Sequence, residues 1–354
     1  MRLTPQGGRI MGAPARVLVT GAGGFIGHHL VERLKADGHW VRGADVKLPE
    51  FGASRADEFE LLDLRCAEHC RRATRRIDLV YNLAADVGGI GYVGTRQAEI
   101  ARNNTLINVH MLDAARAEGV QRFLFSSSAC VYPQFRQTSE HARPLREVDA
   151  VPADPEPGCG WEKLYTEQLC AYYTRDHGLD TRCVRFQNVY GPLGTYDGGR
   201  EKAPAAISRK VASARDGDTI EVWGDGKQTR SFTYVDDCVE GLLRIMESRC
   251  RDPLNLGTDR LVTIDELVDL VCAAAGKRLV KRHVMDRPQG VRGRNSDNTK
   301  LREVLGWEPS ISLEQGLAVT YRWIEGELVR RARAAQKAIV PVKARALDGA
   351  PARS

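Results

Sequence analysis

The chain has 354 residues, of which 42% are hydrophobic and 28% are charged, and its formal net charge is +6. These values are typical of a globular protein with one large domain or two moderate ones, which can bury a sizeable core. No apolar run approaches the roughly 20 residues of a membrane span, and the N-terminus lacks the apolar stretch of a signal peptide. We therefore expect a cytoplasmic protein with no membrane partner.

Strand-like and helical patterns alternate along the first half of the chain. Apolar runs predict strands at residues 15–21, 39–46, 58–64, 78–84 and 122–128. A helix is predicted from about Phe25, and a long amphipathic pattern covers residues 97–118. Alternation of this kind indicates βαβ units, and the predicted fold is an α/β, Rossmann-type doubly wound parallel sheet.

A Gly- and Pro-rich segment at residues 191–204 marks a change of organisation. The helical patterns that follow predict a smaller, mostly helical C-terminal lobe, with helices at residues 203–215, 234–248, 264–276 and 313–328. The predicted sheet domain covers residues 15–190, with segments near 230–258 returning to it. The lobe covers residues 191–329.

The two ends of the chain are predicted to be disordered, over residues 1–14 and 330–354. The C-terminal segment holds seven Lys and Arg against one Asp, so it accounts for the whole excess of positive charge. Its composition favours a solvated extension over a nucleic-acid-binding arm, and no nucleic-acid partner is expected. Nine cysteines scattered through a long chain indicate reduced thiols rather than a disulfide framework.

The motif TGAGGFIG, residues 20–27, follows the first predicted strand and opens the first predicted helix. In that context Gly21, Gly24 and Gly27 allow a tight turn, close approach of a pyrophosphate and close helix packing. Asp45 ends the second strand, where a carboxylate accepts hydrogen bonds from a ribose diol and repels a 2′-phosphate. These features favour NAD over NADP. The remaining predicted cofactor contacts are Phe25, Ile26, Asp63, Leu64, Ala84 and Lys163.

Longer strings are more discriminating than the glycine motif. They are SSSACVYP (126–133), RFQNVYGPLGT (185–195), GGREKAPAA (198–206), WGDGKQTRSFTYVDD (223–237) and GVRGRNSDN (290–298). With NLAA (82–85), ADVGGIGY (85–92) and Lys163, they resemble the extended short-chain dehydrogenase/reductase superfamily, and within it the GDP-mannose 3,5-epimerase family. The similarity runs from about Arg16 to Gly326.

The resemblance implies a reaction that borrows and returns a hydride. The sugar C4 hydroxyl is oxidised transiently by NAD, and the ketone acidifies the protons at C3 and C5. An acid/base pair then removes a proton from one face and returns one from the other. By match to the family motifs, this pair is Cys130 and Lys202, and Ser128 hydrogen-bonds the reacting C4 oxygen. Both Cys and Lys are credible bases, because cations lower a thiol pKa and desolvation lowers a lysine pKa.

One position departs from the family pattern. The active-site signature of the superfamily is Tyr-x-x-x-Lys, but the residue four before Lys163 is Cys159. The two residues should share a helix face, yet the sulfur is too short to reach where a phenol oxygen reaches. Tyr165 is expected on roughly the opposite face and is rejected as a substitute. Three explanations remain open: a water relay to Lys163, direct action of Lys163 or Ser128, and an impaired redox step. A working enzyme with a water- or lysine-assisted step is favoured.

The family match also implies the substrate contacts. A nucleoside diphosphate carries strong negative charge, and Arg292 matches the position expected at the pyrophosphate. Further contacts carried over are Gly88, Asn188, Glu201, Lys202, Lys210, Gln228 and Ser128. The implied substrate is a nucleotide sugar, with a GDP-hexose expected, and the implied assembly is a homodimer through helices around 97–118 and 161–177.

Other functions are compatible with the same fold. A dehydratase commonly needs a Glu beside the serine motif, where Ala129 and Cys130 stand instead, and a 4-epimerase would leave Cys130 and Lys202 idle. An epimerase for a related sugar such as a heptose stays open. A non-catalytic sensor has no need of proton carriers. The CAEHC string, residues 66–70, lacks a second ligand pair at zinc-like spacing, so it is interpreted as a surface helix and no metal is predicted.

Overall fold

The structure is a computed structural model that describes residues 14–339, with side chains described as far as Gln336. Its strands are β1 (Arg16–Thr20), β2 (Trp40–Asp45), β3 (Glu58–Leu61), β4 (Leu79–Asn82), β5 (Arg122–Ser128), β6 (Asp180–Phe186), β7 (Asn188–Tyr190), β8 (Thr219–Trp223), β9 (Thr229–Arg230), β10 (Phe232–Tyr234), β11 (Leu254–Leu256), β12 (Val262–Thr263), β13 (Val280–Val284) and β14 (Gly293–Arg294). Its helices are α1 (Phe25–Ala36), α2 (Ala67–Thr74), α3 (Ile90–Val93), α4 (Gln97–Ala117), α5 (Cys159–His177), α6 (Ala203–Ser213), α7 (Val235–Glu247), α8 (Ile264–Ala275), α9 (Thr299–Leu305) and α10 (Leu313–Ile339).

Seven strands form one parallel sheet in the order β11-β6-β5-β4-β1-β2-β3. The strand order reverses between β1 and β4, and open sheets of this kind bind ligands in the crevice outside the carboxyl ends of the strands at that reversal. The predicted Rossmann-type doubly wound sheet is confirmed. It brings the residues that follow β1, β2, β4 and β5 to one edge.

Both faces of the sheet are covered, as a parallel sheet requires. On β1, Val17 and Val19 belong to a core shared with α1 and α7, whereas Leu18 belongs to the core shared with α4 and α5. This alternation follows from the two-residue period of a strand. It explains why the predicted strands are continuous apolar runs rather than alternating ones.

The remaining helices α6, α8 and α10 pack against one another and form the centre of the lobe. Small sheets accompany them: β8 pairs with β13, β9 pairs with β12 and β14, and β7 pairs with β10. The predicted helices of the lobe are all present, but α9 and the strands of two to five residues were not predicted. The boundary at residue 190 between the two units stays a prediction.

The last helix extends further than predicted. It runs from Leu313 to Ile339, so the prediction that residues 330–339 belong to a disordered tail was wrong. The segment is rich in Ala and Arg, which are strong helix formers. Arg331 also lies 3.5 Å from a carboxylate oxygen of Glu50 and 3.7 Å from one of Asp197, which ties the helix to the body of the protein.

The predicted disorder of residues 1–13 and 340–354 lies outside the described residues. Between residues 14 and 339, no helix combines the length and the apolar character needed to cross a membrane.

Candidate active site

The turn after β1 has the geometry of a phosphate cradle. Gly21 has a φ of +68°, and a Cβ there would lie 2.9 Å from the backbone nitrogen of Ala84. A Cβ on Gly27 would lie 2.1 Å from the carbonyl oxygen of Gly21, so α1 could not pack this closely on the turn with any other residue. Gly24 precedes α1 and offers no side-chain cap, which leaves the first-turn amides of the helix for an anion. This arrangement fits the pyrophosphate of a dinucleotide.

Asp45 lies beside this turn at the end of β2. Its carboxylate accepts hydrogen bonds from the backbone N–H of Gly23 at 3.0 Å and of Lys47 at 3.2 Å, and burial raises its pKa. A cavity lined in part by Gly23, Gly24, Phe25 and Lys47 opens at the same place. A carboxylate at that position fits the ribose diol of NAD.

The other predicted cofactor residues border the same edge. The Ala84 N–H donates to Thr20 Oγ1 at 3.0 Å, which holds the end of β4 against β1. Leu64 is buried, and the Asp63 carboxylate is engaged by the Arg65 guanidinium, whose hydrogen bond lowers the pKa of Asp63. The cofactor contacts of Asp63 and Leu64 stay predictions.

Replacing Asp45 by Asn is expected to weaken NAD binding by about 10- to 100-fold, because a hydrogen bond to a charged group contributes about 1.5–3 kcal/mol. The ratio of NAD affinity to NADP affinity should fall at the same time, since asparagine lacks the carboxylate charge that repels the 2′-phosphate of NADP. Calorimetric titration with both dinucleotides measures the two effects. Asp286→Asn, in an exposed turn, is the matched control, and an unchanged NAD affinity in Asp45→Asn would contradict the assignment.

Two cysteines meet at the carboxyl end of β5. Cys130 lies in a short 3-10 turn over Ala129–Val131, and its backbone N–H donates to Ser128 Oγ at 3.2 Å. Cys159 is the first residue of α5. The two sulfur atoms and a carboxylate oxygen of Glu156 all lie within 4.8 Å of one another. A Cβ on Gly160 would lie 2.4 Å from the Cys130 carbonyl oxygen, so this glycine permits the close approach.

The pKa values of the two thiols are shifted in opposite directions. A hydrogen bond from the Cys159 thiol lowers the pKa of Cys130 despite its burial, and the same hydrogen bond, with burial, raises the pKa of Cys159. Cys130 is therefore the thiol of the pair that ionises more easily.

Cationic side chains surround this pair. Strands β9 and β14 are in register so that Arg230 lies opposite Arg294, and Arg294 donates to the Glu156 carboxylate. Burial would raise the pKa of Glu156, but the Arg294 charge outweighs it and lowers that pKa. Burial lowers the pKa of Arg230 to about 9. Desolvation also lowers the pKa of Lys202, although the negative charge of an ionised Cys130 would oppose that shift. These groups make the site electropositive.

Sequence reasoning missed Glu156, Arg230 and Arg294. The two arginines lie within the WGDGKQTRSFTYVDD and GVRGRNSDN strings, so their position in these strings was a signal that could have identified them. No signal in the sequence indicated Glu156, because its partner Arg294 is 138 residues away.

The lysine of the superfamily signature is buried on α5. Lys163 Nζ lies 3.6 Å from a carboxylate oxygen of Glu162 and 4.8 Å from the ring centroid of Phe125. The Glu162 carboxylate also accepts from Asn104 and Asn108, and burial raises its pKa. Tyr165 is 52% exposed, in agreement with its predicted place on another face of the helix.

The loop before α3 lies against the segment that carries Lys202. The Gly89 N–H donates to the Arg200 carbonyl at 3.0 Å, and a Cβ on Gly89 would lie 2.5 Å from the Glu201 carbonyl oxygen. Gly88 and Lys202 are thereby brought to neighbouring positions. The Glu201 carboxylate accepts from the Gly199 N–H at 2.7 Å and pairs with Arg209, so it holds the loop.

The other predicted substrate residues make contacts within the protein. Arg292 donates to Asp225 at 2.8 Å and to Glu140 at 2.7 Å. Lys210 Nζ donates to the Glu221 carbonyl, and Asn188 donates to the Ser231 carbonyl. Gln228 donates to the Trp223 carbonyl, while its buried Oε1 has no hydrogen-bond partner among the described residues. Their roles toward a substrate stay predictions.

The CAEHC segment is occupied by local contacts. The Cys70 thiol donates to the Leu64 carbonyl at 3.1 Å, and the His69 ring bonds the Asp63 carbonyl at 3.0 Å. Cys66 is exposed at the start of α2, while Cys70 is buried beneath the helix. The segment is thus a helix that packs on the sheet, with its thiol and ring already engaged.

The model of the NAD-dependent epimerase/dehydratase family matches residues 17–257. The chain belongs to this family. GDP-mannose 3,5-epimerase from Arabidopsis thaliana is 47% identical over 315 residues, which cover 88% of this chain and 83% of that protein. UDP-glucose 4-epimerase from Thermotoga maritima, solved with UDP-glucose, has a TM-score of 0.79 at 29% identity, covering 88% of this chain and 99% of that one. The Thermus thermophilus UDP-glucose 4-epimerase complex with NAD has a TM-score of 0.78 at 26% identity, with the same coverage.

The family membership confirms the predicted enzyme class and the predicted NAD cofactor. The geometry of the cofactor edge agrees with this membership, because the glycine turn and Asp45 fit a dinucleotide. A pair of proton carriers beside that cofactor site is a further demand of epimerisation at a carbon next to a ketone. The assignment of Cys130 and Lys202 as this pair stays a prediction.

Proposed function

We propose that this chain is a GDP-hexose epimerase that inverts C5, C3 or both carbons of a GDP-mannose-like sugar. The observation that carries the proposal is that Cys130 and Lys202 lie together, among the cations Arg230 and Arg294, next to the predicted cofactor edge. The close relationship to proteins named GDP-mannose 3,5-epimerase supports the choice of sugar and base.

Cys130 and Lys202 are the proposed proton carriers. The thiolate of Cys130 takes a proton from the sugar carbon, and the ammonium of Lys202 returns one from the other face. The electrostatics support this division, because the pKa of Cys130 is lowered by the thiol beside it, and the pKa of Lys202 is lowered by burial. Both shifts bring the two groups toward the neutral range in which proton transfer is efficient.

The redox step needs a proton acceptor for the C4 hydroxyl in place of the missing tyrosine. Bound NAD supplies the hydride acceptor and donor at C4. Ser128 is proposed to hold the C4 oxygen, and a water molecule in the space of the absent phenol is proposed to pass the proton to the Lys163–Glu162 pair. That pair can store a proton, because burial raises the pKa of Glu162. Cys159 is not proposed as this acceptor, since its thiol already donates to Cys130.

The pyrophosphate of the substrate is proposed to bind Arg292. Its guanidinium now pairs with Asp225 and Glu140 and is partly exposed, so a diphosphate would compete with these carboxylates for the same donors. Gly88, Asn188, Glu201, Lys210 and Gln228 are proposed to complete the substrate pocket. The unpartnered Oε1 of Gln228 is an acceptor suited to a hydroxyl or amino group of the ligand.

The experiment that tests the function is incubation of the purified protein with GDP-mannose in heavy water. Deuterium at C5 or C3, together with products of inverted configuration by NMR, is the expected result. A 4-epimerase would invert C4 without such exchange, a dehydratase would release water, and a sensor would change nothing. Any of those three outcomes would overturn the proposal.

We also propose a homodimer through α4 and α5. Trp161, Tyr165 and Tyr172 lie along α5 and are 53%, 52% and 45% exposed, which is unusual for large aromatic side chains on a helix. Aromatic residues are enriched at protein interfaces. A cytoplasmic, reducing location is proposed as well, supported by the free state of all nine cysteines.

Trp161→Glu is expected to convert the dimer into a monomer, because a buried charge without a partner is costly at an interface. Sedimentation equilibrium measures the change. Trp223→Glu serves as the control for a similarly exposed tryptophan away from α5. A wild-type protein that sediments as a monomer would contradict the assembly.

A further inference from the structure

The two active-site thiols are close enough to react with each other. Their sulfur atoms lie within 4.8 Å of each other. A disulfide needs a sulfur–sulfur distance near 2.05 Å and Cβ atoms about 3.5–4.5 Å apart. Cys159 is the first residue of α5, and Gly160 lets the backbone approach the Cys130 carbonyl. Formation of the bond requires the two side chains to rotate until the sulfurs meet.

The charges around the pair favour thiol chemistry over metal binding. Arg294 is buried, Arg230 is partly buried and Lys202 is exposed, and all three lie near the sulfurs, so a divalent cation would be repelled by them. The third possible ligand, Glu156, is held by Arg294. Cations of this kind stabilise a thiolate and make it reactive.

We propose that Cys130 and Cys159 form a reversible disulfide that switches this enzyme off under oxidising conditions. The consequence for activity rests on the proposed function, whereas the formation of the bond does not. In the disulfide, Cys130 has no thiolate to take a proton, and the sugar-facing site loses its base. A tyrosine at residue 159 would make such a bond impossible, so the switch depends on this chain's departure from the family pattern.

The oxidant is a hydroperoxide, and each step balances. The Cys130 thiolate attacks the O–O bond of hydrogen peroxide, forms an S–O bond and releases hydroxide, which leaves Cys130 as a sulfenic acid. The sulfur of Cys159 then attacks the Cys130 sulfur. The S–S bond forms, the S–O bond breaks, and the Cys159 proton leaves with the oxygen as water. An external dithiol reverses the bond by thiol–disulfide exchange.

The test is treatment of the full-length protein with hydrogen peroxide, followed by alkylation, proteolysis and mass spectrometry. A peptide pair linked through Cys130 and Cys159 is expected, together with at least a tenfold loss of epimerisation that dithiothreitol restores. Cys159→Ser should form no such link. Its Cys130 should oxidise to the sulfinic acid, so its loss of activity should not be restored by dithiothreitol.

Cys250→Ser is the control for oxidation of a thiol outside the site, and it should behave as the wild type. A link between the buried Cys170 and Cys183 instead, or no link at all, would overturn the proposal. Inactivation that a chelator reverses would also overturn it, since it would assign the thiols to a metal. A wild-type protein that forms the link when oxidised, but epimerises no GDP-mannose when reduced, would overturn the proposed function and leave the proposed disulfide supported.

Discussion

Lys202→Met is expected to slow inversion of the sugar carbon strongly while sugar-dependent reduction of NAD continues. In the proposed mechanism the ammonium returns a proton to the sugar carbon but takes no part in removing the hydride. Loss of a positioned acid or base reduces the rate by about 10²–10⁴-fold. Cys130→Ala should lose deuterium exchange as well as inversion, since Cys130 is proposed to remove the proton. Rapid-quench assays with NMR detection measure the inversion and the exchange, and absorbance at the NADH band measures the reduction of NAD.

The pH dependence gives a second measurement of the same pair. Activity should rise with pH as the Cys130 thiol ionises and fall as the Lys202 ammonium loses its proton. Both pKa values are lowered, by the Cys159 hydrogen bond and by burial respectively, so both limbs of the profile should lie below the ordinary pH values of about 8.5 and 10.4. A profile with limbs at the ordinary values would contradict the assignment.

Two control variants test whether the effect comes from lost proton transfer rather than from a changed net charge or impaired folding. Lys281→Met removes a partly buried lysine outside the site that pairs with Asp269, and it should leave inversion and NAD reduction unchanged. Cys250→Ala removes a cysteine outside the site and should also leave both unchanged. If Lys202→Met loses NAD reduction together with inversion, Lys202 serves binding or structure rather than proton return.

Much of the fold follows from patterns that the sequence displays locally. Apolar runs such as 122–128 coincide with β5, and the amphipathic pattern over 97–118 matches α4 within one residue. The short strands of the lobe could not be predicted, because two residues such as those of β9 carry no periodicity. The length of α10 was underestimated because its run of arginines was interpreted as charge rather than as helix-forming side chains.

The sequence predicts candidate site residues only where they lie in recognisable motifs. Ser128, Cys130 and Lys202 lie in strings that resemble the family, so the sequence alone predicts each of them. The contact between Cys130 and Cys159 was not predicted, since it depends on where α5 begins after Gly158, a residue with a φ of +74°. The ion pair of Glu156 with Arg294 joins distant parts of the chain, and only the folded backbone brings them together.

Cys159→Tyr is expected to raise the rate of sugar-dependent NAD reduction by up to about 10²-fold, the lower end of the usual effect of a positioned acid or base. A phenol oxygen extends several bonds further from the backbone than the Cys159 sulfur, so it reaches the C4 hydroxyl that the thiol does not reach. Single-turnover absorbance at the NADH band measures the gain. The same substitution removes the thiol that lowers the pKa of Cys130, so the acid limb of the exchange reaction should move to higher pH.

Cys159→Phe is the matched control, because it fills the same space without a hydroxyl. If a water molecule in that space relays the proton to Lys163 and Glu162, the phenyl ring displaces it and NAD reduction should fall below the wild-type rate. Equal rates of NAD reduction in the Cys159→Tyr and Cys159→Phe variants would contradict both the water relay and the proposed role of the phenol. A gain in the Tyr variant with a loss in the Phe variant supports a proton path through this volume, in which the wild-type enzyme uses a solvent molecule where the superfamily signature has a tyrosine.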